Sequence, residues 1–125
     1  MKKIFLIVAL MVPSLSFGAQ WKTYATSGEG NQVSALDLDS LKEVKPNVFN
    51  VWTNLTDKNL KMNTKINNYV DCKNETINSA DIYMYKDGKL INSFINETDI
   101  LSPPGGSVGW QLVQAVCSKR NSKLK

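Results

Sequence analysis

The two cysteines of this 125-residue chain, Cys72 and Cys117, are its residues with the clearest chemistry. Thiols form disulfides, bind metals as thiolates, or act as nucleophiles beside a base. Histidine is absent. Its absence removes the commonest general base, the Ser-His and Cys-His nucleophile pairs, and the usual nitrogen ligand of a thiolate metal site. Apart from Asp71, no second ligand-type residue stands at a recognised metal spacing from either cysteine, so neither a metal nor another cofactor is expected. Carboxylate and lysine mechanisms are the remaining catalytic routes, with Asp37, Asp39 and Glu97 the candidate carboxylates. In Asp37-Leu38-Asp39-Ser40-Leu41, however, short polar side chains are placed to bond nearby backbone N–H groups and make a turn. No base is paired with a nucleophile, so the chain is not expected to be an enzyme.

Two further groups of residues suit binding rather than reaction. Pro104-Gly105-Gly106-Ser107 precedes a helical pattern and offers free N–H groups to an anion, but it lacks the lysine of a phosphate loop. Ser107 is therefore read as a helix N-cap. Trp52, Tyr69, Tyr83 and Tyr85, interleaved with Lys65, have the composition of a recognition surface, where amphipathic aromatic side chains give contact area at low entropy cost. These five residues are the candidate binding face.

The start of the chain sets the compartment. Lys2 and Lys3, an apolar run over residues 4–12, and Pro13-Ser14-Leu15-Ser16-Phe17-Gly18-Ala19 have the order of a secretory signal, expected to end at residue 19. The apolar run is too short for a membrane span of about 20 residues. Removing it leaves 125 − 19 = 106 residues, one domain over residues 20–118 with a basic tail at 119–125. The formal charge of +4 includes Lys2 and Lys3, so the exported chain is too weakly basic to suggest nucleic acid. Export also decides the cysteines, because an even count in an oxidising compartment implies one bridge, Cys72–Cys117.

Positioning these groups falls to six alternating segments and one helix. Period-two patterning predicts strands over residues 20–27, 32–37, 48–55, 62–72, 75–86 and 90–96. In the first, Trp21, Thr23 and Ala25 are expected to share a face. In the fourth, Ile66, Asn68, Val70 and Cys72 face the core while Lys65, Tyr69 and Asp71 face away. Asp87-Gly88 predicts a tight hairpin. The breaker-rich stretch 102–107 precedes a short helix over 108–117, whose apolar stripe is Val108, Leu112, Ala115 and Val116. The expected fold is α+β: a roughly six-stranded antiparallel meander with a C-terminal helix packed on one face and one disulfide.

Asp37-Leu38-Asp39-Ser40-Leu41, Val51-Trp52, Tyr69-Val70-Asp71-Cys72, Tyr83 with Gly88, the Pro-Gly-Ser loop 102–107 and Val116-Cys117, taken in order, resemble the bacterial surface-adhesin protein E family over most of the exported chain. The resemblance implies a small antiparallel sheet with a helix and a disulfide. It also implies a binding role, since the family's named member is an outer-membrane lipoprotein adhesin for host laminin, vitronectin and plasminogen. This chain has no cysteine in or beside the expected cleavage zone, so no lipid anchor is expected. The expected function is that of an exported bacterial binding domain, periplasmic or secreted, with a host matrix or envelope protein as its ligand. A periplasmic inhibitor of a hydrolase such as lysozyme, or a periplasmic structural protein, is the alternative. A second copy of the chain is a candidate partner.

Overall fold

Alternating apolar and polar residues give strands one buried face each, and the computed structural model builds them into one antiparallel sheet. It describes residues 20–124, with side chains through Ser118; the expected signal and the side chains of the basic tail lie outside the described residues. The strands are β1 (Trp21–Thr26), β2 (Gln32–Asp37), β3 (Lys42–Lys45), β4 (Val48–Asp57), β5 (Met62–Asp71), β6 (Thr76–Lys86), β7 (Lys89–Phe94) and β8 (Ile100–Leu101). They lie in the meander order β1-β2-β4-β5-β6-β7. Six of them are the expected strands. The short β3 and β8 are additions: β3 extends the β2 side of β4, pairing near Phe49, and β8 extends the β7 side of β6, pairing near Ile77.

The Asp87-Gly88 turn forms as its residue types require. Both residues have positive φ, at 52° and 81°, the geometry of a primed turn whose twist matches the paired strands. Asp37 closes its own turn, its Oδ1 accepting from the N–H of Asp39 at 3.0 Å and of Gln20 at 3.1 Å.

Bulges change the faces in two places. The register of β1 on β2 shifts between Thr23 and Ala25, so Trp21 pairs with Asp37 on the outer face and is exposed, while Ala25 pairs with Ser34 on the inner face and is buried. The expectation that Trp21 and Ala25 share a face fails because the extra residue, Tyr24, inverts the alternation. A second shift in β6 opposite Asn67 and Asn68 leaves Ala80 unpaired, so Ile77 and Ser79 share the inner face with Ile82 and Met84.

Helix α1 (Val108–Leu124) packs on the inner face. Ser107 caps it, accepting from the N–H of Trp110 at 3.2 Å on Oγ and of Gln111 at 3.0 Å on its carbonyl. The helix is longer than expected, which places Cys117 inside it rather than at its end. Its buried stripe is Leu112, Val113 and Val116; Val108, expected on the stripe, is exposed. Gly109 lets the first helical turn approach the sheet closely, since a Cβ there would lie 3.0 Å from Pro103 Cβ and 3.6 Å from Ile77 Cδ1. The helical side chains join Leu36, Phe49, Val51, Val70 and Ile77 in one core. Burying each valine or leucine contributes about 1.5–3 kcal/mol. The Cys72–Cys117 disulfide, with Cα atoms 5.7 Å apart, ties α1 to the end of β5.

A polar row crosses this inner face. The buried Asn68 Nδ2 donates to Thr53 Oγ1 at 2.9 Å and to the Ile66 carbonyl at 3.2 Å, and Asn68 Oδ1 accepts from Ser79 Oγ at 3.0 Å. Tyr24 is also hydrogen-bonded to Thr53 and to Ser34. The buried side-chain polar atoms among the described residues are satisfied, as buried polar groups must be to avoid a desolvation penalty.

Candidate functional site

Strand parity puts Trp52, Lys65, Tyr69, Tyr83 and Tyr85 on the face opposite α1, and the register decides which of them meet. Lys65 pairs directly with Tyr83, and Trp52 lies one row away, level with Asn67 and Asp81. From that diagonal position the Trp52 and Tyr83 rings stack with centroids 6.1 Å apart and planes at 25°. Lys65 Nζ lies 5.8 Å from the Tyr85 ring centroid, within reach of the ring's negative face. These four side chains form one patch, with Lys65 exposed and the three rings half-buried.

Tyr69 stands apart from them. It is level with Asn50 and Asn78, one row beyond Trp52 and two beyond Lys65, and it belongs to a separate trough of about 510 Å3 at the disulfide end of the outer face. Val48, Asp71, Thr76 and Asn78 line that trough with it, and Val44 of β3 and Ile100 of β8 stand at its sides. The short strands that the sequence pattern did not reveal therefore wall this depression. Asp71 is occupied locally: its Oδ1 accepts from the N–H of Lys73 at 3.0 Å and of Asn74 at 3.2 Å, and its Oδ2 from the Asn74 amide at 2.9 Å. Partial desolvation alone would raise its pKa, but these bonds and the Lys73 charge together hold it below the ordinary carboxylate value.

Asparagines brace the outer face between the two parts and at the Tyr85 end of the patch. Asn50 Nδ2 donates to Asn67 Oδ1 at 2.6 Å and to the Asn68 carbonyl at 3.1 Å, and Asn63 Nδ2 donates to Thr56 Oγ1 at 3.0 Å. Cross-strand pairs of this kind hold neighbouring strands in register, so the aromatic patch stands on a stiff platform.

On the other side of the sheet, a cleft of about 820 Å3 opens between α1 and the β1–β2 corner. Tyr24, Leu36, Leu38, Leu41 and Trp110 make its apolar walls, with Lys22, Gln111 and Gln114 contributing polar groups. Burial raises the Tyr24 pKa above the ordinary phenol value, although its bonds to Ser34 and Thr53 pull the other way. The sequence pattern missed this cleft. Its one visible signal was Trp110, lying off the apolar stripe of the helix.

The described residues contain no group of three or more potential metal ligands, and no helix among them is long and apolar enough to cross a membrane. The arrangement offers contact surface, two depressions and one bridge. Compared with known proteins, residues 21–118 match the sequence model of the surface-adhesin protein E family. No curated protein and no solved structure matches the chain. The family is one of exported surface adhesins, which points to a non-enzymatic binding role. With the match running from Trp21, the first residue of β1, to Ser118, just after Cys117, the chain belongs to the surface-adhesin protein E family.

Proposed function

We propose that this protein is an exported, non-enzymatic bacterial binding domain, periplasmic or secreted, that docks a protein ligand from the host matrix or the cell envelope on the outer face of its sheet. The observation that carries this reading is the stacked Trp52–Tyr83 pair beside Lys65 and Tyr85, on a face that helix α1 leaves open. Preassembled aromatic side chains with a cation at their edge lose little rotamer entropy on binding and tend to dominate interface energetics. The asparagine-braced floor supports the same reading, since a platform already in its bound shape avoids a reorganisation cost.

The test is equilibrium binding of the purified protein to laminin, vitronectin and a panel of envelope proteins. At least one should bind. The combined Trp52→Ala and Tyr83→Ala variant should bind at least about 30-fold more weakly, as expected for loss of a hot spot of about 2 kcal/mol or more. Binding unchanged in that variant would remove the outer face from the reading, and no binding across the panel would remove these ligand classes.

A further inference from the structure

Two strands of this sheet contribute nothing to its core. All four residues of β3 and both residues of β8 are exposed, so burial does not account for their pairing with β4 and β6. What they share is the trough around Tyr69, where each sets one apolar side chain at a margin, Val44 from β3 and Ile100 from β8. Val44 is the residue left out of the ladder where the β3 register shifts between Glu43 and Lys45. Bulges of this kind re-aim a side chain and are over-represented beside functional sites.

Between these margins lies an aromatic ring with hydrogen-bonding groups around it. Tyr69 is 37% exposed and stacks on no other ring among the described residues, so a ligand has access to it. Asn78, directly opposite Tyr69, spends both amide hydrogens on the Glu97 and Asp99 carbonyls at 3.0 Å each. These bonds pin the segment that carries Thr98 and fix which way the amide is turned, leaving Asn78 Oδ1 as an acceptor at the trough. Asp71, across from Thr76, keeps acceptor capacity on Oδ2 after its bonds to the turn that follows it. The hydroxyls of Thr76 and Thr98 both donate and accept, and Lys45 only donates.

These groups select a class of ligand. A cation would meet Lys45 and an anion would meet Asp71, whereas an uncharged polyol finds donors and acceptors together. A pyranose also has a face of polarised C–H groups, which suits the negative face of the Tyr69 ring. A plain hexose would set hydroxyls against Val44, Val48 and Ile100, but the methyl of an acetamido substituent is covered by them. At about 510 Å3 the trough falls within the range of small-ligand sites, about 300–1,000 Å3. We infer that the trough is a carbohydrate subsite that takes an N-acetylated hexosamine, its ring stacked on Tyr69 and its acetamido methyl against the β3 and β8 side chains. The trough is separate from the Trp52–Tyr83 patch, so the inference does not rest on the protein ligand proposed for that patch.

The test is a nuclear magnetic resonance titration of the isotope-labelled, disulfide-bonded protein with chitotriose, the trimer of N-acetylglucosamine, and with cellotriose, which lacks the acetamido groups. Chitotriose should bind with a dissociation constant of about 0.1–1 mM, as suits a short ligand on an open site, and should move the amide signals of Val44, Tyr69, Asn78 and Thr98. Cellotriose should bind at least about 10-fold more weakly, the lower value for one apolar group in a fitted pocket. Tyr69→Ala should weaken chitotriose binding about 10-fold, while Tyr69→Phe, which keeps the ring, should stay within about 3-fold of the wild type. Ile100→Ser alters an exposed position and should narrow the gap between the two trisaccharides. A soluble peptidoglycan fragment and an N-acetyllactosamine chain both carry the sugar, and the tighter binder of the two assigns the source to the bacterial envelope or to host glycans. Absence of chitotriose shifts up to about 10 mM, well above the expected constant, shifts confined to residues away from the trough, equal binding of cellotriose, or unchanged binding in Tyr69→Ala would each overturn the inference.

Discussion

Replacing both bridge cysteines by alanine removes the covalent tie between β5 and α1. The bridge spans 45 residues, and closing a loop of that length in the unfolded chain corresponds to about 13 cal/mol/K of lost entropy, or about 4 kcal/mol at 25 °C. Small domains have only about 5–15 kcal/mol in all, so the change takes a large share of the total. A domain of this size unfolds with an entropy of roughly 0.2 kcal/mol/K, which converts that loss into a fall in Tm of about 18 °C. The assay is urea unfolding of the wild type and of Cys72→Ala/Cys117→Ala, followed by far-ultraviolet circular dichroism and by tryptophan fluorescence. The two probes should report one transition with a lowered midpoint. A loss below about 1 kcal/mol would refute the reasoning, since it lies far outside the loop-closure value; it would mean that burial of Leu112, Val113 and Val116 holds the helix without help. Two separated transitions would refute the single-unit premise, with the helix leaving before the sheet melts.

Asn68→Ala strips Thr53, Ser79 and the Ile66 carbonyl of a shared buried partner, and the thermal midpoint should fall by the equivalent of about 2–3 kcal/mol. Gly109→Val places a branched side chain where a Cβ already meets Pro103 at 3.0 Å, so unfolding in urea should show a loss of about 1–3 kcal/mol from overpacking. Stability should also fall in acid. The N–H of Leu60, the Gln32 side chain and the N–H of Asn59 together hold the partly exposed Asp57 below the ordinary carboxylate value, and Asp71 is lowered as well. Such a depressed pKa contributes stability that is present above the unfolded value of about 3.9 and is lost as pH falls through the folded value. Urea midpoints should therefore drop below about pH 4, and less steeply in Asp57→Asn/Asp71→Asn, since those carboxylates supply the linkage.

The six long strands were legible because period-two patterning and a breaker mark each one, and the Asp87-Gly88 turn because its two residue types tolerate positive φ. β3 was not legible: Lys42-Glu43-Val44-Lys45 is exposed throughout, and a strand with no buried face has no alternation to read. β8, with two residues, is shorter than any pattern. The bulges at Tyr24 and Ala80 were hidden for a related reason, since one extra residue inverts parity without changing composition, and that concealed Ile77 as core. For the candidate face, parity alone put Trp52, Lys65, Tyr83 and Tyr85 together. Separating Tyr69 from them needed the pairing of β4, β5 and β6, which only the folded sheet supplies. The cleft beside Trp110 depends on how a helix sits across a sheet, and no local pattern encodes that.

The hydrophobic pattern leaves one ambiguity that the buried amide of Asn68 resolves. Slipping β5 by two residues against its neighbours keeps every side chain on its proper face, so an inner surface of valines and isoleucines would accept the wrong alignment at little cost. Asn68 would not, because two residues away from its place it would lie opposite Phe49 or Thr53 in place of Val51 and opposite Ile77 or Ile82 in place of Ser79, where its Oδ1 loses the Ser79 hydroxyl. Its row of hydroxyls and carbonyls thus works as a key that admits a single alignment. A sheet whose middle strands are ten residues long has several near-equivalent ways to assemble, and one asparagine selects among them.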